Sequence, residues 1–151
     1  QEKTINNMKF LMLLLFFAIS SQSFCQDNFK FKKYIDEQLI GKEQFDIDQD
    51  SSSHHTTYLG QVEMKEGSFH SKNVTYLVLS QYGDFQAAIT RHVYSRLIFM
   101  DEKGKTVRIY NFSEPEGLPT SIKNNGLCFG ELSVAYLSLP ELFCVPNGSC
   151  Y

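Results

Sequence analysis

The chain of 151 residues carries 14 basic and 17 acidic side chains, a formal net charge of −3 at pH 7, and so offers no basic field to attract nucleic acid. Its 42% hydrophobic and 14% aromatic content is enough to build a core, which excludes an intrinsically disordered chain. The length is that of one small domain.

The first element in chain order is an export signal. Residues 1–7 precede the first methionine and read as an upstream extension without a role of its own. Met8 and Lys9 open a short positive region, Phe10 to Ile19 is unbroken apolar sequence, and Ser20 to Ser23 is small and polar, which is the layout of a secretory signal peptide over residues 8–25. As a helix the apolar run would reach about 15 Å, half of a hydrocarbon core of roughly 30 Å, so a spanning anchor is the poorer reading. Cleavage is expected after Cys25, with Ser20 and Ser23 as alternative positions. Phe24 directly before Cys25 argues against a lipid-anchored cysteine. The mature chain, residues 26–151, is then a single β-rich domain, secreted or periplasmic, with no stable membrane insertion once the signal is removed.

Asp27 or Asn28 is placed to cap a helix in which Phe31, Tyr34, Ile35 and Leu39 share one face and Gly41 ends the run. Lys30, Lys32, Lys33, Asp36 and Glu37 form its solvated flanks. Residues 42–56 are polar and acidic and read as a surface loop. Beyond them the period changes to two: Tyr58, Gly60, Val62 and Met64 alternate with Leu59, Gln61 and Glu63, and 74–80 is dense in strand formers. Residues 85–100 read as one further strand, with a helix over 84–94 as the rival. Residues 99–107 form a hairpin with Gly104 in the left-handed position, and pairing Asp101 with Lys105 sets Phe99 opposite Val107, Leu97 opposite Ile109 and Arg96 opposite Tyr110. Prolines and the Asn124-Asn125-Gly126 turn interrupt 113–125; strand or mixed structure resumes over 127–139 until Pro140. The expected architecture is α+β, a mainly antiparallel sheet with one N-terminal amphipathic helix, and an all-β sandwich is the alternative.

Cys144 and Cys150 enclose the turn sequence Pro146-Asn147-Gly148 and are expected to form a disulfide confined to the tail; Cys128 is left as a buried free thiol. Asn73, Asn111 and Asn147 begin glycosylation acceptor triplets that a eukaryotic secretory pathway would use.

Chemical motifs are weak. Asp46, Asp48 and Asp50 have the alternate spacing that opens a calcium loop, but Ser51 stands where glycine is needed and Thr57 where the bidentate glutamate belongs. His54 and His55 are adjacent, so an extended chain aims them to opposite sides, and together with His70 and His92 they read as surface histidines. Gly104-Lys105-Thr106 lacks the first glycine of a phosphate loop, no nucleophile elbow occurs, and the pairs Glu63/Glu66 and Glu114/Glu116 carry no specificity. No cofactor is implied. The reading that remains is a small exported non-enzymatic protein that binds a protein or polymer partner, as an inhibitor, an immunity-type protein or an envelope accessory protein. A small extracellular or periplasmic hydrolase with a carboxylate or histidine site is the alternative, and a structural or adhesive subunit a third. The binding residues expected from the hairpin register are Tyr94, Arg96, Arg108 and Tyr110, sharing one strand face, where arginine and tyrosine stack across strands.

Overall fold

A computed structural model describes residues 31–49, 51–67, 72–87 and 89–151. The expected signal peptide, the helix caps Asp27 and Asn28, and Asp50 and His70 lie outside the described residues. Tyr34–Tyr151 forms one compact unit. Among the described residues no α-helix occurs, and the fold is mostly antiparallel β-sheet.

The helix expected up to Gly41 is replaced, over its described part, by two single 3-10 turns, Lys32–Tyr34 and Glu37–Leu39. The break lies at Asp36. Its backbone is extended, with φ of −138°, and its carboxylate accepts from the Gln38 backbone N–H at 2.9 Å. A short acidic side chain that caps locally competes with a continuous helical ladder, and here the cap prevails. The apolar spacing served burial on a sheet instead: Tyr34 is buried and its hydroxyl donates to Asp46 Oδ2 at 2.9 Å.

Five strands follow as a meander: β1 (Glu43–Ile47), β2 (Ser53–Glu66), β3 (Lys72–Ala87), β4 (Thr90–Met100) and β5 (Thr106–Phe112), each paired antiparallel with the next. Two sequence expectations are corrected here. Residues 42–56 are not a loop but most of a hairpin, in which Glu43 pairs with Thr57 and Ile47 with Ser53. Residues 85–100 are not one strand, because the chain reverses between Ala87 and Thr90, which pair with each other. No glycine, proline or asparagine marks that reversal.

The β4–β5 hairpin turns as expected. Gly104 has φ of +81°, and the Asp101 amide donates to the Lys105 carbonyl at 2.9 Å. The register beyond it is shifted, because Met100 pairs with Thr106 whereas Phe99 pairs with Arg108, leaving Val107 as the extra residue of a bulge. One inserted residue exchanges the faces of everything beyond it. Leu97 therefore lies opposite Tyr110, and Arg96 opposite Asn111.

Three short strands, β6 (Ser121–Lys123), β7 (Gly126–Phe129) and β8 (Leu132–Val134), make a second antiparallel sheet. With the tail after Pro140 it packs on one face of the large sheet, here called the inner face. The shared core holds Val62, Tyr76, Val78, Leu97, Phe99 and Tyr110 from the large sheet, with Leu127, Phe143 and Val145 from the other side. Phe143 is fully buried among the rings of Phe99, Tyr110, Phe112, Phe129 and Tyr136. Cys144 and Cys150 are bonded, as expected; of the loop they close Val145 is buried in the core and 146–149 are exposed, while Phe143 just before it is core. Cys128 is a buried free thiol.

Candidate functional site

The register sorts the large sheet into cross-strand rows, since residues directly opposite one another project from the same face. On the inner face one row reads Glu43, Thr57, Ser80, Leu97 and Tyr110; the next reads Phe45, His55, Tyr82, Ser95 and Phe112; the outermost reads Ile47, Ser53, Asp84 and Val93. Core residues of the second sheet and tail cover the strands up to the middle of these rows. Beyond them Phe45 is 57% exposed, Ile47 62% and Val93 81%. A large apolar side chain gains about 1.5–3 kcal/mol by burial, so Phe45 and Ile47, left in water on neighbouring positions of β1, with Val93 across Ser53 and Asp84 on the same face, mark a candidate binding surface.

Within the patch the rings are ordered. Phe45 and His55 lie 4.8 Å apart between centroids, and His55 stacks on Tyr82 at 4.6 Å with planes 4° apart. Glu43 ties the row together: His55 Nδ1–H donates to its Oε1 at 2.9 Å, and the Tyr82 hydroxyl donates to its Oε2 at 2.7 Å. These two hydrogen bonds, the His55 bond first, hold the Glu43 carboxyl below its ordinary value despite some desolvation. The same bond to Glu43 raises the Tyr82 hydroxyl. Beside the row lies a cleft of about 290 Å³, lined by Glu43, Thr57, Ser80 and Tyr82 on the sheet and by Leu118 and Thr120 on the opposite wall. Glu43 is the one charged residue of its lining.

The outer face carries a second polar cluster. His54, only 6% exposed, donates from Nε2 to Asp48 Oδ2 at 2.6 Å, which leaves Nδ1 to accept from the Tyr94 hydroxyl. His54 thus departs from the surface histidine expected, because the β1–β2 hairpin folds Asp48 over it. Its neighbour His55 faces the other side of the sheet, as adjacency on a strand requires. Arg96 lies 4.9 Å from the Tyr94 ring centroid and donates through Nε to Gln81 Oε1 at 2.7 Å, and Gln81 Nε2 donates to Thr56 Oγ1 at 2.8 Å. Burial pushes the Tyr94 hydroxyl up to about 12. Gly83, the residue paired with both His54 and Tyr94, admits no side chain, since a Cβ there would stand 2.0 Å from the Ser53 carbonyl oxygen.

Of the four residues singled out from the sequence, the structure brings two together. Tyr94 and Arg96 meet on the outer face; Tyr110 is 3% exposed on the inner face with its hydroxyl on the Pro140 carbonyl at 2.5 Å; Arg108 is exposed on β5 opposite Phe99. The bulge at Val107 is the cause, since it turns Tyr110 away from Arg96. Sequence reasoning missed Glu43, Phe45 and Ile47, although Phe45 and Ile47 alternate with Gln44 and Asp46 as a strand would. Among the described residues no group of histidines, cysteines and carboxylates is arranged to hold a metal. Asn73, Asn111 and Asn147 are all exposed. Comparison with family models, with curated proteins and with solved structures gives no match.

Proposed function

We propose that the protein is a small exported, non-enzymatic binding protein that holds another protein against the uncovered end of its large sheet. The observation that carries this reading is the exposed run of Phe45 and Ile47 beside the stacked His55 and Tyr82 on the inner face, bordered by the Glu43 carboxylate, with Val93 exposed farther along the outermost row beyond Ser53 and Asp84. Rigid rings on strands supply contact area at little conformational cost, which is how hot spots are built. Export is supported by the signal-like N-terminus and by the Cys144–Cys150 bridge, which suits an oxidising compartment. No helix among the described residues is long and apolar enough to cross a membrane.

The hydrolase reading would rest on Asp48, His54 and Tyr94, a carboxylate, an imidazole and a hydroxyl in series. A hydroxyl beside a histidine still needs access to substrate, whereas His54 is buried between Asp48 and Tyr94. That cluster fits the role of locking the β1–β2 hairpin onto β3 and β4.

The test is affinity capture from the extracellular fraction of the source with the mature chain and with its Phe45→Ser/Val93→Ser variant, both exposed positions that leave the core intact. The reading expects one partner retained by the first and lost by the second. Equal retention by both would remove the patch from binding.

A further inference from the structure

The patch ends at an open sheet edge, and the edge carries more information than the patch. β1 is the terminal strand of the large sheet, with no neighbour on its outer side among the described residues. The Asp48 amide donates to the Ser52 carbonyl at 2.9 Å, and bonded and non-bonded pairs alternate along an antiparallel ladder. Asp46 and Gln44 are therefore the bonded partners of β2, while Glu43, Phe45 and Ile47 turn their backbone N–H and C=O groups outward. Those three residues also project their side chains from the inner face. The edge is not blunted by lysine, proline or a bulge within its five residues.

We infer that β1 takes up an extended segment of the partner protein as a sixth, antiparallel strand, with apolar residues opposite Ile47 and Phe45 and a lysine or arginine opposite Glu43. Side chains directly opposite share a face, so the added residues at these positions meet the inner-face row. Facing Ile47 and Phe45 they find exposed apolar surface. Facing Glu43 the added residue stands at the mouth of the 290 Å³ cleft, whose floor continues across the same row through Thr57 and Ser80. The carboxylate there is held ionised by His55 and Tyr82, and each of its oxygens accepts a further bond. A lysine or arginine side chain there spans the one strand spacing to Glu43, the one charged residue of the cleft lining, which is a match for a cation and a mismatch for any anion. Antiparallel pairing fixes the order as apolar, any, apolar, any, basic.

This inference rests on the binding reading above and adds the chemistry of the partner segment. The probe is a blocked seven-residue peptide with valine at positions two and four, lysine at position six and threonine elsewhere, compared with the same peptide bearing glutamate at position six. Binding is followed by backbone amide shifts and amide hydrogen exchange of the mature chain. The lysine peptide is expected to slow exchange at Phe45 and Ile47 and to bind about tenfold or more tightly than the glutamate peptide, with Glu43→Gln bringing the two within about threefold. Phe45→Pro removes an outward donor without touching the β1–β2 bonds and is expected to abolish binding of both. Failure of the peptides to protect β1, absence of discrimination, or undiminished binding by Phe45→Pro would each overturn the strand-addition inference. So would concentration-dependent protection of β1 without peptide, which would assign the edge to a second copy. If capture of the partner still depends on Phe45 and Val93 when the peptides fail, the binding reading survives without the added strand; if capture is also indifferent, both fall.

Discussion

Phe143 shows how much can rest on one side chain. It is the ring against which both sheets and the tail close, so Phe143→Ala should destabilise the domain by about 3–5 kcal/mol in a urea titration. A loss below 1 kcal/mol or so would mean that the tail is not core. Nothing in its neighbours Leu142 and Cys144 distinguishes it in the sequence, and a C-terminal position after Pro140 suggests an appendage. Glu43 makes a different prediction. Its carboxyl is lowered in the folded chain from an ordinary value of 4.5, so the folded state gains stability above that value and loses it as the pH falls through the lower folded value. Asp84, lowered from 3.8 chiefly by Arg91 at 2.7 Å, acts in the same sense. Stability should accordingly be flat through neutral pH as far as these two groups are concerned and decline below about 4.5, with a shallower decline in Glu43→Gln, measured as thermal midpoint against pH. An identical acid limb in the two proteins would show that the His55 and Tyr82 bonds contribute nothing.

Turns and bulges decide what individual elements present. Gly104 sits at φ of +81°, where asparagine is tolerated and a β-branched residue is strained, so Gly104→Val should cost more stability than Gly104→Asn. Equal denaturation midpoints would contradict that conformation. This turn was legible because its chemistry is local: a glycine preceded by Asp101, whose carboxylate accepts from the Lys103 and Lys105 amides. The bulge at Val107 was not, since nothing in Thr106-Val107-Arg108 marks an extra residue, and one such residue moved Tyr110 into the core and dissolved the four-residue cluster. β1 escaped for the opposite reason. Its alternation is short and lies within an acidic, serine-rich stretch, so composition outweighed period. The Cys144–Cys150 bridge was legible from its turn, and its small loop should contribute about 2 kcal/mol in the chain-entropy account, read from the Cys144→Ser/Cys150→Ser variant.

At the scale of the molecule, the division of labour follows from unequal sheets. Strands of 14 and 16 residues in β2 and β3 outrun the three-stranded sheet that covers them, and the overhang is where apolar side chains stay in water. The mainly antiparallel architecture could be read from strand-forming runs and turn residues. The binding surface could not, because it depends on which rows the second sheet leaves uncovered, a property of tertiary packing that no local pattern records. The most direct measurement places a photo-crosslinking phenylalanine analogue at position 93, in the patch, and separately at position 123, where Lys123 is exposed on the second sheet. With the captured partner present, the account predicts a covalent adduct from position 93 and none from position 123; an adduct from position 123 alone would contradict it.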